Sequence, residues 1–219
     1  MRNAFPETDI YGITDSRLSL GRPVEQVVAA LLDAGVRVIQ YREKYKNGGE
    51  MLRECQNIRI LTREAGAFFI VNDHIDIAML IEADGVHVGQ KDLPVPEVRK
   101  LVGKHCVIGL STHSPEEAAM GVRYGADYIG VGPIYATQTK EDVSAPVGLG
   151  YLDYIAAEQH KSLGGMPFVA IGGIKRHNIG DVVRHGCACC CLVSELVGAE
   201  DIPGRVSEVR QAMAAARGR

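Results

Sequence analysis

The sequence has no apolar run near the ~18 residues that a membrane-crossing helix needs. Met1-Arg2-Asn3-Ala4-Phe5-Pro6 also lacks the apolar core of a signal peptide, so the expected location is cytoplasmic. Basic charge is not in surplus. The formal net charge of −3 leaves no global field for nucleic acid or an anionic membrane, and any anion site has to be built locally. No Cys/His pair and no Ser/His/Asp order is visible, which argues against covalent catalysis. The seven histidines show no ligand spacing, and only His74, His87 and His113 fall near strand ends. No linker or low-complexity segment divides the chain, so residues 1–219 read as a single domain.

Six cysteines are present, four of them in Cys187-Ala188-Cys189-Cys190-Cys191. Cys187 and Cys190 formally make a C-x-x-C. The run nevertheless follows Gly186 and precedes Leu192-Val193, where a buried strand is due, and small thiols pack there as ordinary apolar side chains.

What is there is an alternation. The strand segments are Asp9–Thr14, Val36–Gln40, Phe68–Val71, Gly85–Val88, Val107–Leu110, Ala126–Ile129, Phe168–Ile171 and the stretch ending at Val193-Ser194. Between them lie helical segments, among them one opened by Pro23, one over about 49–65, one over about 75–81, one starting at Ser114-Pro115, and others near 149–159 and 177–184. A final helix covers about 202–215. Eight short apolar strands with eight helices in 219 residues, 46% of them hydrophobic, predict an α/β fold, a closed (β/α)8 TIM barrel, which typically needs ~200–250 residues.

The polar residues then fall at one address. Gln40, Arg42, Lys44, Asn72, Asp73, Asp92, Ser111, Thr137, Thr139, Lys140, Gly173 and Ser194 all follow strands two to eight, and in a barrel those ends form one rim. Gly130 to Lys140 brings two glycines, hydroxyls and an ammonium together, as an oxygen-rich anion requires, although the spacing is not a Walker A loop and a plain strand-to-helix turn reads as well. Asp73 and Asp92 could be Mg²⁺ ligands, a general acid/base pair or helix caps. Arg42, Lys44 and Lys140 nearby favour the metal, with a diphosphate as its other anionic ligand. Gly172-Gly173 and Val193-Ser194, after strands seven and eight, suggest a second phosphate site. The inferred chemistry is displacement of diphosphate between two phosphorylated small molecules.

Tyr11-Gly12-Ile13-Thr14-Asp15, Gln40-Tyr41-Arg42-Glu43-Lys44, Asn72-Asp73, Gly85 to Asp92, Gly132 to Lys140 and Ala170 to Ile174 together resemble the motifs of the thiamine phosphate synthase family, in the family's order over nearly the whole chain. The resemblance implies coupling of hydroxymethylpyrimidine diphosphate to thiazole phosphate by a dissociative route with Mg²⁺. It implies that Gln40, Tyr41, Arg42, Glu43, Lys44, Asn72, Ser111 and Lys140 hold the diphosphate substrate, with Arg42, Lys44, Ser111 and Lys140 catalytic and Asp73 and Asp92 on the metal. Thr137, Gln138, Thr139, Gly173, Val193 and Ser194 would hold the thiazole phosphate. The chain departs from the family pattern at its cysteine-rich eighth strand and at Glu195. Two rival readings are a thiazole tautomerase of the same fold, which lacks the metal and diphosphate residues, and a non-catalytic sensor of phosphate ligands. Association into a homo-oligomer stays open.

Overall fold

A computed structural model describes residues 4–139 and 145–218. Eight parallel strands close into a barrel in sequence order, β8 pairing with β1. They are β1 (Ile10–Ile13), β2 (Val38–Tyr41), β3 (Phe68–Asn72), β4 (Gly85–Val88), β5 (Val107–Thr112), β6 (Tyr128–Val131), β7 (Phe168–Ile171) and β8 (Cys190–Leu192). Nearly every strand residue is buried, as expected for strands covered on both faces.

The covering helices are α1 (Val24–Asp33), α2 (Gly48–Glu64), α3 (Ile75–Leu80), α4 (Val95–Val102), α5 (Pro115–Tyr124), α6 (Gly148–Glu158), α7 (Ile179–Arg184), α8 (Ser194–Val197) and α9 (Ile202–Arg217). Local chemistry starts several of them. Asn47 and Glu50 form a reciprocal capping box on α2, and the Ser114 hydroxyl accepts from Glu117 N before Pro115. The described residues thus hold one helix more than the eight expected. The addition is α8, a single turn directly after β8, which tucks Leu196 and Val197 into the core. Ser111 and Thr112 also differ from expectation, lying inside β5 instead of after it.

Packing divides into two layers. Residues facing the helices form a large cluster that includes Leu31, Ile39, Val71, Ile129, Cys187 and Cys190. The barrel interior is a smaller cluster of Tyr11, Ile13, Val38, Ile70, Val107, Tyr128, Val169, Cys189 and Cys191. Cys189, Cys190 and Cys191 therefore alternate across the wall as the period of a strand dictates, while Cys187, before β8 begins, packs on the helix side.

The amino-terminal ends of the strands are tied by two equivalent devices. Asp84 accepts from Phe69 N at 2.8 Å and from both terminal nitrogens of Arg59 on α2. Asp127 accepts from Ile108 N at 2.8 Å and from Arg99 of α4 at 2.5 Å. Asp127→Ala leaves a backbone N–H and a guanidinium without their acceptor, a cost of about 2–3 kcal/mol. Thermal unfolding should show a Tm lower by roughly 5–10 °C for a chain of this size. A shift under about 1 °C would refute the role given to this pair.

Candidate active site

Two adjoining cavities open at the carboxyl-terminal rim. The first is lined by Arg42, Ser111, His113, Thr137, Thr139, Gly172, Gly173, Val193 and Ser194 over an apolar floor that includes Ile13, Ile171 and Cys191. The second is lined by Arg17, Arg42, Lys44, Tyr45, Asn72, Asp73, His87, Asp92 and Ser111. Arg42 and Ser111 belong to both.

The second cavity concentrates charge. The Arg42 side chain is 8% exposed and sits 3.4 Å from Asp15, and its buried Nε has no partner among the described residues. Lys44 reaches Asp73 at 2.5 Å. Asp73 takes a left-handed backbone, φ 60°, directly after β3, a conformation that Asp tolerates better than most residues. Burial pushes the Asp73 carboxyl up, but the hydrogen bond and charge of Lys44, with help from Asp92 and His87, hold it below the usual carboxylate range. Asp92 moves the other way. Burial and the charge of neighbouring Asp73 raise it, against the Gly89 N–H, which it accepts at 2.7 Å.

The first cavity is shaped by glycine. Gly172 and Gly173 both have positive φ, 97° and 64°. A Cβ on Gly172 would stand 2.4 Å from Pro133 Cβ, and one on Gly173 would stand 2.6 Å from the Ala136 carbonyl. The β6 and β7 loops therefore interlock backbone to backbone, and that contact sets the cavity wall.

Beneath both cavities runs a chain of hydrogen bonds. Gln40 Nε2 donates to Tyr11 Oη at 2.7 Å; Tyr11 and Tyr128 hydroxyls meet at 2.9 Å. The Tyr128 hydroxyl lies 2.9 Å from His87 Nδ1, and His87 Nε2 lies 2.9 Å from Ser111 Oγ. Burial holds both phenols well above their ordinary pKa, so each keeps its proton. Since Gln40 Nε2 only donates, Tyr11 passes its own hydrogen on to Tyr128, and His87, with a proton on Nε2, donates to Ser111. The Ser111 hydroxyl proton is thereby left to point at a ligand.

Among the residues expected at the site, Arg42, Lys44, Asn72, Asp73, Asp92, Ser111, Thr137, Thr139, Gly173, Val193 and Ser194 line these cavities. Gln40 lies just below them, beside Asn72 and His87. The structure does not bring Tyr41, Glu43 or Gln138 into either. Tyr41 is adjacent to Gln40 on β2 and so points to the opposite face, where its hydroxyl donates to Glu54 of α2 at 2.7 Å. The Glu43 carboxylate accepts from the N–H groups of Lys44 and Tyr45 and fixes the loop. Gln138 is exposed. Lys140 lies outside the described residues. Sequence reasoning missed Tyr11, Tyr128 and Arg17, and gave His87 no role beyond its place near a strand end. Arg17 donates to the Thr139 carbonyl at 3.3 Å and stacks 4.6 Å from the Tyr45 ring centroid.

Comparison with known proteins agrees with this architecture. Residues 10–196 match the family model described as thiamine monophosphate synthase. The chain is 57% identical over 207 residues to a thiamine-phosphate synthase of Lawsonia intracellularis, covering 94% of this chain and 93% of that one. A thiamine-phosphate synthase of Pelotomaculum thermopropionicum is 55% identical over 204 residues, covering 93% and 91%. Among solved structures, a thiamine phosphate pyrophosphorylase from Pyrococcus furiosus superposes with a TM-score of 0.84 at 34% identity, covering 95% of this chain and 96% of that chain. With its fold, its rim and its relatives in agreement, the chain belongs to the thiamine monophosphate synthase family.

Proposed function

We propose that the protein is a cytoplasmic, single-domain thiamine-phosphate synthase that joins hydroxymethylpyrimidine diphosphate to thiazole phosphate and releases diphosphate. The observation that carries this reading is the pair of cavities sharing Arg42 and Ser111. Two ligands held side by side there meet at one boundary, where a bond can pass from one to the other. A tautomerase acting on a single phosphorylated ring would have no use for the Arg42, Lys44, Asn72, Asp73 and Asp92 cavity.

The donor set fits a hard divalent cation. Two carboxylates converge, one raised by the charge of the other, and among the described residues no group of three or more His, Cys, Asp or Glu could hold a metal. Mg²⁺ takes such sites, completing its shell with water and phosphate oxygens. Asp73 and Asp92 would hold it, and its charge would stabilise the departing diphosphate.

The chain's own groups account for the rest. Arg42, Lys44 and Lys140 offer three cations to a leaving group whose negative charge grows as the C–O bond breaks. Ser111 donates to it through the proton that His87 leaves free. Gln40 and Asn72 border the space below, suited to an aminopyrimidine edge, while Ile13, Ile171 and Cys191 keep water from the reacting carbon. Thr137, Thr139, Gly173, Val193 and Ser194 orient the thiazole phosphate so that its ring nitrogen faces that carbon. The nitrogen lone pair needs no general base.

The direct test is to incubate the purified protein with both substrates and Mg²⁺ and to look for thiamine phosphate by chromatography. Its absence at high enzyme concentration would overturn the reading. Chelation by EDTA should abolish turnover, and Mg²⁺ should restore it. Asp92→Asn should lower kcat at least ~10²-fold while leaving the thermal midpoint within a few degrees, because the residue is exposed at the rim. Lys44→Ala should cut kcat by about 10²–10³-fold, the usual loss for one transition-state charge donor, with KM for thiazole phosphate little changed. If Lys44→Ala altered that KM alone, the division between the cavities would be wrong.

A further inference from the structure

Glu195 places a carboxylate one residue past Ser194, whose side of the turn lines the cavity assigned to the thiazole phosphate. It is 8% exposed, and a buried carboxylate there would repel a phosphate and carry a large desolvation cost unless it were paired. The structure pairs it twice. One oxygen accepts from Arg205 Nη1 of α9 at 2.9 Å, and the other stands 3.6 Å from Lys175 Nζ. Arg205 is itself shared with Glu208 at 3.1 Å. The nearer contact of Lys175 is a different one: its ammonium donates to Ser194 Oγ at 2.7 Å.

The loop that carries Lys175 is firmly held. Lys175 N donates to Asn178 Oδ1 at 2.7 Å, and Asn178 Nδ2 donates to the Gly173 carbonyl at 3.0 Å. Asn178 thus locks Gly173 and Lys175 in one turn. Glu195 stands beside the ammonium, and Ser194, which lines the cavity, accepts a hydrogen bond from it. An ammonium has three donors, and a hydroxyl engages only one of them.

We propose that Lys175 is a specificity-determining residue of this subsite, the side-chain cation that reads the acceptor's phosphate, with Glu195 and Arg205 as the residues that position it. The inference rests on the two-substrate reading above. It explains how an acidic residue is accommodated next to a phosphate: the carboxylate is spent on orienting a lysine, and Arg205 balances its charge.

The test compares Lys175→Met, Lys175→Arg and the double variant Lys175→Met/Glu195→Gln with the parent enzyme. Lys175→Met should raise KM for thiazole phosphate roughly 10- to 100-fold, the range for losing one charge-assisted hydrogen bond. KM for the pyrimidine diphosphate should move less than about twofold, and Lys175→Arg should recover most of the loss. Discrimination between thiazole phosphate and its unphosphorylated alcohol should fall by the same factor. An unchanged acceptor KM in Lys175→Met would overturn the proposal. So would full recovery in the double variant, since Lys175 would then serve only to neutralise Glu195. Calorimetric titration with inorganic phosphate gives a readout independent of turnover, and weaker binding by Lys175→Met than by the parent is expected, with equal binding counting against the role. A parent that binds phosphate through Lys175 but makes no thiamine phosphate would refute the synthase reading and leave this one standing.

Discussion

Two buried phenols constrain much of the molecule. Tyr11 and Tyr128 fill the barrel interior, and a phenol hydroxyl sealed from water must find partners inside the protein. Their partners are each other, Gln40 and His87, and His87 passes the demand on to Ser111. The register of three strands makes this fit. His87 lies opposite Gly109, and Gly109 lies opposite Tyr128. Gly109 has to be glycine, because a Cβ there would stand 2.1 Å from Cζ of the Tyr128 ring. Ser111 follows two residues later on the same face of β5, so core packing and the orientation of a site hydroxyl are set by one alignment.

Charge is handled as locally as hydrogen bonding. The chain as a whole is slightly acidic, yet the rim gathers Arg17, Arg42 and Lys44 in one cavity whose lining holds Asp73 and Asp92, with Asp15 against the two arginines. Among the described residues the Arg42 guanidinium meets Asp15, and its buried Nε has no partner. A guanidinium that is only partly satisfied in a desolvated position gains more from an incoming anion than a fully paired one does, since the cost of burying it has already been met by folding.

The barrel was legible because each strand is a short, mostly apolar run bounded by glycine or polar turns, and the rim was legible because polar clusters fall at or just after the ends of such runs. Tyr41 and Glu43 show where the reading ran out. They sit in the same five-residue motif as Gln40, Arg42 and Lys44, but side-chain alternation sends Tyr41 to α2, and Glu43 closes on its own backbone. The roles of Tyr128 and His87 depend on partners more than 20 residues away in sequence, and no local pattern distinguishes them from ordinary core residues. Lys175 was hidden for a related reason: a lysine after Gly-Gly-Ile reads as a solvated charge until Glu195 and Ser194 are seen beside it. The alternation that misplaces Tyr41 also explains the cysteines, whose run spans the barrel wall with Cys191 lining the cavity and Cys190 against the helices.

The two cavities also differ in what each demands of the protein. Departure of diphosphate requires charge that is already in place, because reorganising side chains during bond breaking would add to the barrier. Arg42 and Lys44 stand within three residues of the end of β2, and Asp73 directly follows β3. The acceptor phosphate keeps its charge throughout, so its subsite needs selectivity more than transition-state stabilisation. Loops suffice for that purpose: interlocked glycines set the wall, and the turn pinned by Asn178 carries the cation.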